Sequence, residues 1–445
     1  MSSRQSWLLS TALVAITAIS QIHPVMAAGF GLKEQSAEAQ GSSYAGAGTR
    51  ADDPSTLFYN PAGITRLPGY QISAGISAIM PNGTLASGTA TTGSYLGGAS
   101  RQGITGSNSG VDAILPTLYA TAQITDNLFV GLGITSPYGL ATKYPTNSIA
   151  RYYALTTDLK TINIGPSIAY KINEQISLAA GLNIETADAH LSNSVDFGAI
   201  GALKGLAKFG FVPGSADGIA TIKGSDTALG WNVGALYEPI PGTRIGATYR
   251  SAMFHNLSGT LTYSGVPTPF AAAFPNSSAT AKVPEPSTAT LSLSQQLGKF
   301  TVMADATYTG WSIFQNLQAY TGSTLASNTI EKFRDTLSIS LGADYKINDQ
   351  WTVRAGTAYD PTPVQITYRT PRIADNDRIW LSVGATWNAT EHLAVSGAYS
   401  HLFANDAKVN LVDAGPNTPN FLKGNLSANY NVSVDIVSVS ARYRF

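Results

Sequence analysis

Apolar and polar residues alternate with a period of two along much of the chain, which predicts β-strands rather than helices. The stretch 337–347 shows the pattern. Its apolar face consists of Leu337, Ile339, Leu341, Ala343, Tyr345 and Ile347, and its polar face of Ser338, Ser340, Gly342, Asp344 and Lys346. After Asn348-Asp349-Gln350 the alternation resumes at Trp351. The segment is therefore expected to be a hairpin with one apolar and one polar face.

Fourteen segments of this kind are predicted. They start near Tyr70, Ala113, Leu128, Asp158, Ile176, Leu229, Thr243, Thr288, Phe300, Asp335, Trp351, Arg378, His392 and Asp435. Six connections are tight turns, at 125–127, 173–175, 238–242, 295–299, 348–350 and 388–391. Seven are long loops, at about 80–112, 136–157, 191–228, 255–287, 312–334, 361–377 and 402–434. Short turns that alternate with long loops are typical of an outer-membrane barrel with both termini in the periplasm.

The low charge density indicates which face of the strands points outward. Charged residues make up 12% of the chain, against about 25% in ordinary soluble domains, whereas a water-soluble surface carries many of them. Large apolar side chains that face lipid, with polar side chains inside, fit the composition better. Trp351 and Tyr359 share the apolar face eight residues apart, the spacing of two aromatic girdles. The sequence therefore predicts an all-β fold, a 14-stranded antiparallel transmembrane β-barrel over residues 70–445.

Both ends of the chain indicate export to the outer membrane of a Gram-negative bacterium. Arg4, a short apolar stretch from Trp7 to Ile19 and then Val25-Met26-Ala27 have the form of a secretory signal peptide over residues 1–27. At the other end, the alternating segment from Val437 finishes on the aromatic Phe445. A last strand with a terminal aromatic residue resembles the signal read by the barrel-assembly machinery, which we expect as a partner during biogenesis.

Residues 28–69 do not follow the barrel pattern. A run of small residues, Gly41-Ser42-Ser43-Tyr44-Ala45-Gly46-Ala47-Gly48, precedes Ala51-Asp52-Asp53 and Asn60-Pro61-Ala62-Gly63. Gly46-Ala47-Gly48 is not a phosphate loop, because no strand precedes it and no lysine follows it. About forty residues of turns and short helical pieces ahead of a barrel are expected to fold into the lumen as a plug.

In several motifs the chain resembles the outer-membrane long-chain fatty acid and hydrocarbon transporters of the FadL/TodX type. The resemblance covers essentially the whole mature chain. Its motifs are Ala28-Gly29-Phe30, Ala51-Asp52-Asp53, Asn60-Pro61-Ala62, the stretch from Ile134 to Thr142, Trp311-Ser312-Ile313-Phe314, Phe333-Arg334-Asp335 and the stretch from Arg372 to Ser382. Asn-Pro alone is a weak signal, since it commonly starts a turn. The ordered set makes the resemblance specific.

The resemblance implies a fourteen-stranded barrel whose N-terminal hatch prevents simple diffusion. A hydrophobic molecule is captured at the outer loops, binds beside the hatch and leaves sideways into the membrane next to an inward kink in the third strand. The implied hatch and ligand-binding residues are Phe30, Leu32, Asn60, Pro61 and Ala62. The implied lateral opening lies at Phe129, Gly131 and Gly133. Glycine within a strand independently favours a bend there, although loose packing against the plug is an alternative.

The polar end of the ligand is left open by the sequence. Fatty-acid members of the family carry basic residues on the fifth strand and just after the Trp-Ser-x-Phe motif. Here those stretches read Glu185-Thr186-Ala187-Asp188-Ala189-His190 and Gln315-Asn316-Leu317-Gln318. A carboxylate would lack a charge-assisted partner at both places. Uncharged hydrocarbons are therefore considered beside long-chain fatty acids.

Other functions are less well supported. A general diffusion porin for polar solutes is the alternative, and the charged inner residues Arg244, Arg250, Arg354 and Asp305 would suit one. A plug ahead of the first strand favours the transporter. An enzyme is not expected, because His190, His255, His392 and His401 show no metal-ligand spacing and no cysteine is present.

The expected surroundings follow from the same observations. A net charge of zero argues against nucleic acid. We expect a monomer in outer-membrane lipid and lipopolysaccharide, with a hydrophobic small molecule as ligand and with neither a cofactor nor a metal.

Overall fold

A computed structural model describes residues 29–445 and shows a closed barrel of fourteen antiparallel strands. The predicted signal peptide, residues 1–27, lies outside the described residues. The barrel strands are β1 (Tyr70–Thr91), β2 (Ala113–Gln123), β3 (Leu128–Thr135), β5 (Thr156–Lys171), β6 (Ile176–Asp196), β7 (Asp217–Ile240), β8 (Thr243–Arg250), β11 (Thr288–Leu297), β12 (Phe300–Thr309), β15 (Thr336–Lys346), β16 (Trp351–Asp360), β17 (Arg378–Asn388), β18 (Leu393–Ala404) and β20 (Asn425–Arg444). Pairing of β20 with β1, from Gln71↔Arg444 to Thr91↔Asn425, closes the cylinder.

The remaining elements lie in the long loops or ahead of the barrel. Six strands extend the loops: β4 (Gly139–Lys143), β9 (Met253–Ser264), β10 (Ser277–Glu285), β13 (Asn316–Thr321), β14 (Thr324–Ile330) and β19 (Ala407–Leu411). The helices are α1 (Ala37–Gln40), α2 (Thr56–Tyr59) and α3 (Phe197–Leu203). Short 3₁₀ segments are Pro61–Arg66, Ser94–Leu96, Ala207–Phe209, Thr268–Ala273, Trp311–Ile313 and Pro371–Ile373. No helix within residues 29–445 has the length and apolar character to cross a membrane.

The six tight turns occur where the alternation predicted them, and two of them use the same side-chain device. The Asn173 carboxamide oxygen accepts the backbone N–H groups of Gln175 and Ile176 at 2.9 and 2.8 Å. Asn348 accepts those of Gln350 and Trp351 at 3.0 and 2.8 Å. Asparagine is favoured at such positions because its short side chain bonds to the backbone two residues further on.

The outer ends of the strands differ from the prediction. The strands expected to start at Leu229 and Asp435 begin at Asp217 and Asn425, and six strands occupy parts of the predicted long loops. The β6–β7 ladder continues without a register shift from Ile176↔Tyr237 to Asp196↔Asp217. In the outer part of β20 the alternation is inverted: Leu426, Ala428 and Tyr430 are buried, and the polar residues between them face outward. This part of the strand therefore lacks the outward apolar face by which strands were predicted.

The apolar face points outward, as predicted. Leu337, Ile339 and Leu341 are about half exposed, whereas Ser338 and Ser340, between them, are buried. The outward aromatic residues next to the short turns are exposed in the same way: Tyr170, Tyr237, Trp351 and Trp387. A soluble sheet protein would bury the larger side chains. This arrangement is the one that hydrocarbon surroundings favour.

We expect Leu341→Arg to lower the free energy of unfolding by about 2–4 kcal/mol, because Leu341 lies five residues before the end of β15, near the middle of the lipid band. Val412→Arg is the matched control, since Val412 is 60% exposed and Leu341 56%, but Val412 follows β19 in an outer loop. Urea unfolding of protein folded into lipid vesicles measures both. Equal effects at the two positions would contradict a lipid-facing Leu341.

Candidate functional site

Residues 29–69, called here the N-terminal segment, lie against inward-facing side chains of the barrel. The backbone N–H groups of Gly46 and Ala47 donate to the two carboxylate oxygens of Asp305 on β12 at 2.8 and 3.1 Å. The next N–H group, of Gly48, donates to Ser292 Oγ on β11 at 3.2 Å. The run of small residues noted in the sequence thus brings backbone, rather than side chains, against the wall.

Glycines on the wall allow this close approach. A Cβ atom on Gly356 of β16 would lie 2.1 Å from the carbonyl oxygen of Ser42. One on Gly384 of β17 would lie 2.8 Å from the Cα atom of Gly41. Real Cβ atoms do not approach backbone so closely, so any other residue at these positions would displace the segment.

Buried ion pairs also join the N-terminal segment to the wall. Arg50 donates to both carboxylate oxygens of Asp344 on β15, at 2.7 and 3.2 Å. Asp344 also accepts from Arg354 Nε at 3.2 Å, and Arg354 lies 3.7 Å from Glu38 of α1. These groups border a charged cavity of about 430 Å³ that also reaches the short turns and the terminal residues Arg442 and Arg444. The end of the lumen toward the short turns is therefore strongly polar.

Asn60-Pro61-Ala62 is a junction between the segment and the wall. The Asn60 amide group donates to the carbonyl oxygens of Gly48 and of Ala235 on β7, at 2.6 and 3.0 Å. Its oxygen accepts the N–H group of Ala62 at 3.1 Å and so caps the 3₁₀ segment Pro61–Arg66. Asn60 and Ala62 are fully buried, and Pro61 lines the central cavity described below.

Phe30 lies in an aromatic cluster built from the motifs that carried the family resemblance. Its ring centroid is 4.7 Å from that of Trp311, 5.3 Å from Phe314, 5.9 Å from Tyr138 and 6.5 Å from Phe333. The neighbouring Gly29 donates its N–H group to Asp375 Oδ2 at 3.2 Å. The sequence motifs, which are far apart in the chain, meet around the start of the N-terminal segment.

The barrel ladder is irregular immediately after β3. β3 pairs with β5 as far as Thr135↔Asn163, and β4 resumes at Gly139↔Lys160. Three residues, Ser136–Tyr138, thus face two on β5, which is the definition of a β-bulge. We call Ser136–Tyr138 the bulge. All three of its residues are buried.

The bulge leaves part of β2 without a neighbour. β2 pairs with β3 from Leu118↔Ile134 to Gln123↔Phe129, whereas Ala113–Thr117 pair only with β1 in the part of the chain that the structure describes. We call Ala113–Thr117 the unpaired edge of β2. Two isolated bridges, Gly110↔Thr142 and Ile104↔Ser148, rejoin the two sides beyond it. The wall therefore has a lateral interruption of a few residues.

The N-terminal segment forms backbone hydrogen bonds with the bulge. Leu32 N–H donates to Pro137 O at 2.7 Å, and Gly139 N–H donates to Phe30 O at 2.8 Å. The Gln35 amide bonds both backbone groups of Ser136, at 2.7 and 3.2 Å. The Leu32 side chain is buried in one cluster with Ala113 and Leu115 of the unpaired edge. Phe30–Leu32 thus cover the interruption from inside.

Phe129, Gly131 and Gly133 face the lumen next to this interruption. The β3 ladders are regular at all three residues on both sides. A Cβ atom on Gly131 would meet Leu57 of α2 at 2.5 Å, and one on Gly133 would meet the Tyr119 ring at 3.2 Å. The two glycines accommodate neighbouring side chains, and the irregular backbone lies a few residues beyond them.

A central cavity of about 160 Å³ lies between the segment, the bulge and the opposite wall. Leu32, Tyr44, Phe58, Pro137, Tyr138 and Trp380 contribute apolar surface. Hydroxyl groups line the wall: Thr248, Thr288, Thr290, Thr307, Thr309, Thr336, Ser338 and Ser340. The volume is close to the ~150 Å³ of a cavity that holds benzene. It has room for one aromatic ring or for part of an acyl chain.

Two cations of this cavity were not predicted as ligand contacts. Lys33 is paired with Asp360 at 3.2 Å. Arg250 donates to Asn183 Oδ1 at 2.7 Å and to the Phe58 carbonyl oxygen at 3.3 Å, both uncharged partners. The alternation placed Arg250 inside the barrel, but no sequence signal indicated that it faces the same space as Leu32.

A second cavity, of about 690 Å³, lies among the outer loops. Its apolar lining includes Leu191, Ile200, Ile222, Leu261, Phe274, Leu317, Leu325 and Phe421, and its cations are Arg372 and Lys423. Burial and the neighbouring Arg372 guanidinium lower the pKa of Lys423 to about 8, so the amine still carries its proton at neutral pH. We call this space the outer cavity.

The chain matches known proteins over nearly its whole length. The family described as outer membrane protein transport protein (OMPP1/FadL/TodX) matches residues 16–445. The long-chain fatty acid transport protein of Escherichia coli O6:H1 is 33% identical over 426 residues, which cover 90% of this chain and 92% of that protein.

Solved structures agree with this assignment. A Pseudomonas aeruginosa FadL homologue has a TM-score of 0.85 at 26% identity, over 94% of this chain and 99% of that one. The Ralstonia pickettii toluene transporter TbuX shares the fold, with a TM-score of 0.64 at 21% identity over 91% of this chain and 98% of that one. This chain belongs to the OMPP1/FadL/TodX family of outer-membrane transport proteins, which are channels and not enzymes.

Proposed function

We propose that this outer-membrane protein takes up hydrophobic molecules passively, either long-chain fatty acids or hydrocarbons. The ligand is captured in the outer cavity, passes to the central cavity beside a plug formed by residues 28–69, and leaves sideways into the membrane next to β3. The observation that carries the proposal is the direct pairing of Phe30–Leu32 with the bulge that borders the unpaired edge of β2. Movement of the plug would therefore act on the lateral opening.

The difference in polarity between the two ends of the lumen supports this route. The outer cavity and the central cavity have substantial apolar walls, whereas the cavity toward the short turns is lined by Glu38, Arg50, Asp344, Arg354 and Arg444. Each methylene group that leaves an apolar site for water costs about 0.8 kcal/mol. Release through the charged end into the periplasm would be slow for that reason. Release into the lipid through the side of the barrel avoids the cost, and no nucleotide is needed for flux down a gradient.

Deletion of residues 28–69 tests the plug. We expect the full chain to show little steady ion conductance in planar bilayers, and the shortened chain to conduct and to lose selective hydrophobic uptake. The physical reason is that Asp305, Asp344 and Arg354 would then face water in place of Gly46, Arg50 and Glu38. Large steady conductance of the full chain would instead favour the alternative function, a general diffusion porin.

A reducible cross-link tests lateral release, and the chain is suited to it because it contains no cysteine. We expect a short thiol cross-linker between Thr117→Cys, on the unpaired edge, and Ser136→Cys, in the bulge, to abolish uptake, and reduction to restore it.

The matched control joins Leu118→Cys to Ile134→Cys, which already face each other in the ladder. That pair is expected to transport equally well before and after cross-linking. Undiminished uptake with the first pair locked would refute release between β2 and β3, and with it a role for Gly131 and Gly133 in that release.

The ligand class is tested at Arg250. A carboxylate in the central cavity would gain a charge-assisted hydrogen bond from this guanidinium, and a neutral hydrocarbon would not. We expect Arg250→Gln to weaken binding of a long-chain fatty acid about tenfold or more, and to leave binding of a neutral aromatic hydrocarbon unchanged, as measured by fluorescence displacement in detergent. The long-chain fatty acid transport protein of E. coli O6:H1 supports the acid as the first ligand to try.

The Arg250→Gln result is decisive only if the variant still folds, which its heat-dependent mobility on gels shows. Equal losses for the acid and the hydrocarbon would mean that Arg250 only maintains the shape of the cavity. The monomeric state, the association with lipopolysaccharide and the use of the barrel-assembly machinery stay predictions from the sequence.

A further inference from the structure

Three titratable side chains that are far apart in the sequence meet at the barrel wall. Glu185 lies on β6, His255 on β9 and Glu285 at the end of β10. All three are buried, with at most 1% of each residue exposed. One ligand atom from each lies within 4.8 Å of the other two. The cluster joins the barrel wall to the β9–β10 hairpin, which is not part of the fourteen-stranded cylinder.

The polar atoms of the cluster are unsatisfied. Among the described residues, neither carboxylate oxygen of Glu185 or of Glu285 has a hydrogen-bond partner, and neither does either ring nitrogen of His255. A buried polar group without a partner costs free energy, and a buried carboxylate costs more. Six such atoms in one place therefore point to a group that binds them together.

The distances fit a shared ion better than hydrogen bonds. His255 Nε2 lies 3.7 Å from Glu185 Oε1 and 3.6 Å from Glu285 Oε1. A hydrogen bond between such groups is about 2.7–2.9 Å long. Bonds of about 2.0–2.2 Å to a tetrahedral ion place two of its ligand atoms about 3.3–3.6 Å apart. His255 Nε2 thus lies from one oxygen of each carboxylate at about the distance that separates two ligand atoms of the same metal ion.

The other side of the imidazole ring faces a further carboxylate. His255 Nδ1 lies 3.5 Å from Asp226 Oδ2 on β7, and this oxygen accepts the N–H group of Asn256 at 2.9 Å. Histidines that bind a metal through one nitrogen usually direct the other toward a carboxylate, which orients the ring. Asp226 is placed to act in this way.

We propose that Glu185, His255 and Glu285 bind one divalent transition-metal ion of the Zn²⁺ type. One imidazole and two carboxylates supply three ligands, and water completes the tetrahedron. Two carboxylates and a divalent ion sum to zero charge, which removes the cost of burying the acids. An imidazole ligand favours zinc-like ions over Mg²⁺ or Ca²⁺.

The ion would have a structural role next to the transport route. Pro286, which follows Glu285, accepts a hydrogen bond from the Tyr138 hydroxyl at 3.0 Å, and Tyr138 belongs to the bulge. An ion that joins Glu285 to Glu185 would thus fix the end of β10 against the wall at the bulge.

Zn²⁺ binding to the full mature chain in detergent is the test. The protein is purified with a tag that contains no histidine and is stripped with a chelator, and Zn²⁺ is titrated by calorimetry. We expect one ion per chain, about 100-fold or more weaker binding in Glu185→Gln, Glu285→Gln and His255→Gln, and about tenfold weaker binding in Asp226→Asn. His401→Gln is the control, because His401 also faces a carboxylate, that of Asp435 at 2.7 Å, away from the cluster.

A second measurement needs no variant. Co²⁺ added to the stripped protein is expected to give the visible absorption of a tetrahedral site, and Zn²⁺ to remove it. Absence of saturable one-to-one binding of both ions would overturn the proposal. Unchanged Zn²⁺ affinity in His255→Gln would overturn it as well. Metal binding is measured without any transported ligand, so a failure here is distinguishable from a failure of the proposed function.

Discussion

The need to satisfy every backbone N–H and C=O group inside hydrocarbon governs this structure. A closed antiparallel ladder satisfies the requirement over almost the whole circumference, because β20 returns to β1. The exception is the bulge, where the chain leaves β2 without a partner over Ala113–Thr117. There the backbone of Phe30–Leu32 and the side chain of Gln35 supply bonds to the bulge. The N-terminal segment is therefore part of the wall at this interruption.

Charged side chains within the lumen hold the N-terminal segment in place. The backbone of the small-residue run bonds to Asp305 and Ser292, and the Arg50–Asp344–Arg354–Glu38 network holds the other side of the segment. The segment held by these contacts separates the polar cavity near the short turns from the more apolar cavities nearer the outer loops. A hydrophobic molecule that enters from outside thus meets charge ahead of it and the bulge beside it.

Much of the fold was predictable because the barrel pattern is local. Each strand in lipid must place apolar residues outward at every second position, so six turns and the number of strands could be inferred from alternation alone. The extended outer parts of β7 and β20 and the six loop strands were missed, because outside the lipid the outward face of a strand need not be apolar. The inward kink in β3 near Gly131 and Gly133 stays a prediction, whereas the bulge had no signal in the sequence. It lies after Thr135, since it depends on register with β5 and on bonds from residues a hundred positions away.

The sequence by itself determined the class of protein. The alternation predicts a lipid-facing barrel, residues 28–69 depart from that alternation, and the motifs assign the family. Those properties follow from local periodicity and from short motifs. Only the tertiary structure decided which residues share a cavity or a cluster. Lys33 and Arg250 face the same space although 217 positions separate their numbers, and Glu185, His255 and Glu285 meet because β6 lies beside the folded-back β9–β10 hairpin. Such groupings depend on long-range strand pairing, which produces no characteristic spacing of residues in the sequence.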